Sequence, residues 1–88
     1  MVTYSIVLER HLEKQLQKLA KKAPSVHTNL LNKVHELSER PNIGKPLRGK
    51  YKGVWRVHIG SFVLKYSIDE ERKELCLLTF EHHDEAYI

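Results

Sequence analysis

The chain has 88 residues, 41% of them hydrophobic, and carries 15 Lys plus Arg against 11 Asp plus Glu, a net charge of +4. A chain of this length forms one domain, residues 1–88, with a modest core; that excludes a deep closed pocket for a large cofactor and suits a shallow surface site. The basic balance points to a polyanion or an acidic protein as partner, and the lone cysteine, Cys76, excludes an internal disulfide and a cysteine zinc cage.

Residues 2–8 alternate, with Tyr4, Ile6 and Leu8 on one side and Thr3 and Ser5 on the other, which predicts a half-buried strand. From Glu9 the period changes to three and four: Leu12, Leu16, Leu19, Ala20 and Ala23 recur between lysines and glutamines, the pattern of an amphipathic helix. Pro24-Ser25 ends that helix and starts another, with Ser25 as the expected cap. Val26, Leu30, Leu31, Val34 and Leu37 form its expected buried stripe, and Pro41 stops it. Residues 41–52, with two prolines and two glycines, read as a loop leading into a hairpin.

Residues 53–59 predict a strand with Trp55, Val57 and Ile59 toward the core and Val54, Arg56 and His58 opposite. Gly60-Ser61 is a turn signal. Phe62, Leu64, Tyr66 and Ile68 then form one face of the next strand, leaving Val63, Lys65 and Ser67 on the other. Residues 69–73 are a charged turn. Residues 74–80 are nearly all apolar, which predicts a central strand with Cys76 buried in it, and residues 81–88 read as a tail or short terminal strand. The order strand, helix, helix, strand, strand, strand predicts an α+β fold: two helices on one face of a mostly antiparallel, roughly four-stranded sheet. The opposite face is left to carry Arg56, His58 and Lys65. With no signal peptide and no apolar run of about 18 residues, the chain is expected to be soluble and cytoplasmic, without a membrane partner.

Charge is unevenly spread. Lys45, Arg48, Lys50, Lys52 and Arg56 place five cations in twelve residues with no acid among them. Tyr51 and Trp55 lie within or beside that run, and cations interleaved with aromatics bind single-stranded nucleic acid by charge and stacking. His58 follows Arg56 by two, so both side chains share a strand face about 6–7 Å apart. Imidazole exchanges protons near neutral pH, and a guanidinium grips phosphate with two hydrogen bonds. Together they are the minimal kit for attack of a ribose 2′-hydroxyl on its own phosphate, which needs no metal. His82 and His83 face opposite ways on an extended chain, so they would not chelate one ion together, but one of them can turn toward His58. His11, His27 and His35 sit at polar helical positions with no expected role. No glycine-rich phosphate loop, Ser/His/Asp set or paired-carboxylate site stands out, and no cofactor is expected.

The runs Pro46-Leu47-Arg48-Gly49, Tyr51-Lys52-Gly53, Trp55-Arg56-Val57-His58-Ile59-Gly60 and Phe62-Val63-Leu64-Lys65-Tyr66, closed by His82-His83-Asp84-Glu85-Ala86-Tyr87, resemble the RelE/ParE superfamily of toxin–antitoxin modules. Within it the chain is similar to the YafQ-like branch, whose strand histidine is matched by His58 and whose second histidine, four residues before a terminal aromatic, is matched by His83. The branch's loop histidine is Lys45 here, and its acid after the strand histidine is Ser61. The arginine that RelE carries on the third strand is Val63, although Lys65 on the same face is placed to replace its charge.

The resemblance implies a toxin held silent by a cognate antitoxin: a metal-independent endoribonuclease that cuts mRNA on the ribosome and leaves a 2′,3′-cyclic phosphate and a 5′-hydroxyl. His58 would be the general base and His83 the general acid, or the reverse. Arg56 and Lys45 would stabilise the transition state, Arg48, Lys50, Lys52 and Lys65 would hold RNA, and Tyr87 would stack on a base or assist proton transfer. The scaffold also admits a ParE-like inhibitor of DNA gyrase, or a degenerate toxin that keeps only antitoxin binding.

Overall fold

The computed structural model describes residues 3–83. Along the chain run β1 (Ser5–Leu8), α1 (Arg10–Lys22), α2 (Pro24–Glu39), β2 (Lys45–Pro46), β3 (Val54–Ile59), β4 (Phe62–Asp69) and β5 (Glu74–His82). The strands form one five-stranded mixed sheet in the order β1-β5-β4-β3-β2. The pairings β2–β3, β3–β4 and β4–β5 are antiparallel, and β1–β5 is parallel. The expected α+β layering of two helices on one sheet face is present. The fifth strand is β2, two residues inside the segment read as loop. Its proline and brevity hid it, since a two-residue strand shows no alternation.

Both helices bury the leucine stripes their periodicity announces: Leu12, Leu16, Leu30 and Leu37 enter one core with Leu64, Tyr66, Leu75, Leu77 and Phe80. Each fully buried leucine contributes about 1.5–3 kcal/mol relative to exposure. Leu31 does not join them; it is 52% exposed, because it falls one step outside the stripe of Leu30, Val34 and Leu37. α2 starts on Pro24 with Ala23 at the N-cap position, so Ser25 lies inside the first turn and caps nothing. β1 is a sheet edge, and Ile6, Val7 and Leu8 are all more than a third exposed, against the expected half-burial.

β5 lies between β1 and β4, an interior strand as its apolar run suggests, and it runs on to His82. A register shift after Lys65 breaks the alternation opposite β4: Leu64 pairs with Phe80, Lys65 with Thr79, and Tyr66 with Leu77. The extra residue, Leu78, lets Leu77 and Phe80 both face the core although they are three apart. Cys76 falls on the other face and is only partly buried, not enclosed as expected. β1 pairs with β5 only as far as Leu77, and beyond it the Phe80 carbonyl accepts a hydrogen bond from Gln15 Nε2 of α1 at 2.6 Å. The β3–β4 hairpin turns through Gly60, whose φ of 61° suits the first turn position of a type II′ hairpin.

The N-terminal segment is tied to the β4–β5 turn at the surface. The Tyr4 hydroxyl donates to Glu70 at 2.6 Å, Lys73 reaches the same carboxylate at 3.3 Å, and the Ser5 amide donates to the Lys73 carbonyl at 2.9 Å. The Tyr4 hydrogen bond, then that of Lys73, holds the Glu70 carboxyl below its ordinary 4.5. Hydrogen bonding to Lys33, with help from Arg40, does the same for Glu36 on α2. A carboxylate depressed on folding stabilises the fold above its unfolded value, and that contribution is lost as pH falls through the folded value. Glu70→Gln is therefore expected to melt below the native chain at neutral pH, with the gap closing as pH falls beneath 4.5; melts at stepped pH measure it.

Candidate functional site

The sheet face turned away from the helices carries two cross-strand rows. In the first, Lys45 of β2 pairs with Arg56 of β3, Arg56 with Lys65 of β4, and Lys65 with Thr79 of β5. Direct partners share a face with Cβ atoms about 4.5–5.5 Å apart, so three cations stand side by side across three strands. The second row sets His58 opposite Val63 and Val63 opposite Glu81. The hairpin at Gly60 fixes the register of both rows, and strand alternation places Arg56 and His58 on the same side.

His83 joins the second row from the end of β5. Its amide donates to the Ser61 carbonyl at 2.7 Å, which anchors it to the β3–β4 turn, and its ring centroid lies 5.8 Å from that of His58 at an interplanar angle of 34°. His82 faces the other way, edge-on to Phe62 at 5.6 Å. His58 and His83 are exposed, and Arg56 and Lys65 are half-buried. A shallow hollow of ≈ 160 Å³ lined by Ile43, Gly44, Lys45, Arg56, Val57 and His58 opens beside them. Among the described residues no three His, Cys, Asp or Glu side chains gather as a metal site.

Larger hollows flank α2, one of them ≈ 560 Å³ and lined by Lys33, His35, Glu36, Glu39 and Arg40 among others. Its charges are paired internally: Lys33 and Arg40 each reach Glu36 at 2.9 Å, and His35 reaches Glu39 at 3.1 Å. It offers no set of like charges to a ligand. The rows on the sheet do.

Of the residues singled out in the sequence, Lys45, Arg56, Lys65, His58 and His83 come together on one face. Arg48, Lys50 and Lys52 are exposed on the connection from β2 to β3, around a single 3-10 turn at Gly49–Tyr51. Tyr87 lies outside the described residues. Trp55 points to the core side and stacks on Tyr66 at 6.5 Å, so it is not on the cationic face. Val63 is completely buried, an apolar floor between His58 and Glu81. Lys65 sits two residues further along β4, so its charge falls in the Arg56 row and not in the histidine row.

Three site residues escaped the sequence reading. Thr79 and Glu81 share the face of His83 by simple alternation along β5, a signal present in the spacing but masked by the apolar run before it. Among the described residues the buried Thr79 hydroxyl has no hydrogen-bond partner. Gly44 is the third. The Tyr66 hydroxyl donates to the Pro41 carbonyl at 2.7 Å and receives a hydrogen bond from the Gly44 backbone, while burial pushes its pKa up. A Cβ on Gly44 would overlap that hydroxyl and lie 2.5 Å from the Arg56 carbonyl oxygen. Gly44 is thus the point where the loop lies against the strand that carries Arg56 and His58.

Comparison with known proteins covers nearly the whole chain. The family described as the ParE toxin of type II toxin–antitoxin systems, parDE, matches residues 6–87. A putative toxin RelE4 of Methanocaldococcus jannaschii is 38% identical over 85 residues, spanning 96% of this chain and 90% of the relative. The toxin–antitoxin complex RelBE2 of Mycobacterium tuberculosis contains a chain that superposes with a TM-score of 0.80 at 28% identity, over 92% of this chain and 99% of that one. A mutant of the E. coli toxin RelE in the free state has the same fold, with a TM-score of 0.79 at 20% identity, over 98% of this chain and 90% of that one.

Proposed function

This chain belongs to the ParE toxin family of type II toxin–antitoxin systems, and from that premise we propose that it is a metal-independent endoribonuclease that cuts mRNA on the ribosome and is silenced by a cognate antitoxin. The observation that carries the reading is the pair of imidazoles, His58 and His83, 5.8 Å apart beside a row of three cations. Rings at that separation are near enough to serve one phosphodiester, one at the attacking oxygen and one at the departing oxygen.

One imidazole takes the proton from the ribose 2′-hydroxyl as its oxygen attacks phosphorus. The other gives a proton to the departing 5′-oxygen. The products are a 2′,3′-cyclic phosphate and a 5′-hydroxyl, with no water consumed and no change in net proton count. Negative charge builds on the equatorial oxygens of the crowded phosphorus, where Arg56 and Lys45 stand to stabilise it. Lys65 extends the cationic row, and Arg48, Lys50 and Lys52 hold the RNA on either side. Tyr87 is assigned stacking on a base or help in proton transfer.

A second reading, inhibition of DNA gyrase without chemistry, draws on the ParE family match, and a third, a toxin that keeps only antitoxin binding, draws on Val63 and Ser61, which replace the arginine and the acid of the resembled families. Ribosomes programmed with a defined mRNA separate them. The ribonuclease is expected to release fragments with cyclic phosphate and 5′-hydroxyl ends, and in induced cells to stop protein synthesis before any DNA damage response. Intact mRNA with early DNA damage would establish the gyrase reading. Intact mRNA without damage would mark a toxin that retains only antitoxin binding.

A further inference from the structure

The chain has six histidines, and among the described residues His58 and His83 are the two whose rings meet, with centroids 5.8 Å apart. His11 and His35 each face a carboxylate instead, Glu9 at 3.3 Å and Glu39 at 3.1 Å, and His82 stands edge-on to Phe62. Backbone on both sides of one hairpin fixes the meeting. His58 pairs with Val63 across the turn, and the His83 amide donates to the Ser61 carbonyl. Both side chains are exposed, so each ring can turn about its own torsions.

That separation has a chemical meaning apart from proton transfer. A tetrahedral zinc ion binds imidazole nitrogen at about 2.0–2.1 Å, and the nitrogen lies about 1.2 Å from its ring centroid, so two imidazoles on one ion keep their centroids about 5.3 Å apart. The observed 5.8 Å is within about half an ångström of that value. The planes are tilted by 34°, so the rings are not stacked face to face and their nitrogens can converge on one point.

The surroundings select the ion. Magnesium and calcium take sets of oxygen ligands, whereas imidazole suits zinc, copper and nickel. The two rows hold one acid, Glu81, against Lys45, Arg56 and Lys65, so a hard cation held by charge alone is repelled there. A bond to ring nitrogen depends less on that field. The number of ligands sets the lifetime. Structural zinc has four protein ligands and catalytic zinc three, and among the described residues no third ligand gathers at the pair. An ion on two imidazoles keeps water at its other positions and exchanges readily.

We propose that His58 and His83 form a reversible two-imidazole site for Zn²⁺, and that the bound ion silences the cleavage site. The site stands on geometry; the silencing deepens the ribonuclease reading and rests on it. A nitrogen bonded to zinc has no lone pair with which to take the 2′-hydroxyl proton. The other ring must offer a proton to the departing 5′-oxygen, and it releases that proton to solvent when the metal takes its place. One ion thus removes the base and the acid together, with no bond made or broken in RNA and no change of oxidation state. The toxin then has a brake that needs no protein partner.

The test uses the full chain, free of antitoxin, with zinc chloride as the probe. Calorimetric titration is expected to find a zinc site that His58→Ala and His83→Ala each weaken at least about tenfold, since even outer-shell partners of a metal site are worth about 10–100-fold. His35→Ala, which removes the imidazole beside Glu39, should leave that site as it is. On ribosomes programmed with a defined mRNA, zinc is expected to lower cleavage at least about tenfold and a chelator to restore it. The magnesium already present should do neither, and peptide synthesis by the same ribosomes shows whether zinc acts elsewhere. Absence of zinc binding would overturn the site, and so would binding that survives in both histidine variants but falls in His35→Ala. Zinc bound at the pair with cleavage unchanged would overturn the silencing. If zinc binds at the pair and the native chain cuts no mRNA even with the chelator, the ribonuclease reading falls and the site stands.

Discussion

Replacing His58 and His83 together by alanine is expected to abolish mRNA cleavage while leaving the fold in place. A positioned general acid or base contributes about 10²–10⁴-fold each, and groups that act on one transition state are not additive. Each single variant should therefore fall by about two to four orders of magnitude, and the double variant by little more than the worse single. Both side chains are exposed, so the melting temperature should barely move; surface substitutions are usually within about 0.5 kcal/mol. Cleavage of a defined mRNA on ribosomes, set beside a thermal melt, measures both. A double variant that cuts as the native chain does would remove His58 and His83 from the mechanism, and a double variant that fails to melt cooperatively would show that the pair is structural.

That pair was legible in part. Alternation along β3 placed His58 with Arg56, and the opposite facing of His82 and His83 followed from extended backbone. Which of the two would meet His58 did not follow from alternation, because it depends on how β5 registers against β4; only the family resemblance pointed to His83. The register shift after Lys65, which lets Leu77 and Phe80 both face the core, is a three-dimensional condition with no one-dimensional signature. Cys76 faces outward by plain alternation between the buried Leu75 and Leu77. Helix stripes were legible because periodicity is local; Leu31 misled because an apolar residue beside a stripe looks like part of it. β1 misled for another reason. Its alternation is genuine, but nothing in four residues says that the strand will be an edge.

Gly44→Ala is expected to be the most damaging small substitution in the loop. Its backbone is extended, with φ −77° and ψ −172°, so conformational freedom is not the reason for glycine there. Space is. The added methyl would meet the Arg56 carbonyl, which is backbone, and the Tyr66 hydroxyl, which is completely buried. Overpacking of this kind costs about 1–3 kcal/mol, and a buried hydroxyl pushed off its partner about 1–3 kcal/mol more. For a domain of this size a loss of roughly 2–6 kcal/mol, at about 4–8 °C per kcal/mol, lowers the melting temperature by about 8–48 °C. Gly49→Ala is the control: Gly49 has a φ of +70°, and a Cβ there would have nothing within 4 Å, so its cost is the left-handed backbone alone, about 1–2 kcal/mol. Cleavage should fall further in Gly44→Ala than stability explains, since moving the loop moves Lys45 away from Arg56. Equal melting temperatures for the two glycine variants would refute this account.

The parallel pairing of β1 with β5 joins Ser5 to Glu74, near the two ends of the chain. Strands 69 residues apart in sequence cannot zip up locally, and their meeting carries the loop-closure entropy of nearly the whole domain. During synthesis the helices and the β3–β4 hairpin can form early, but β1 has no neighbour until β5 emerges. The same late strand delivers His83 to His58. Completion of the sheet and assembly of the imidazole pair are thus one event, since both wait for β5.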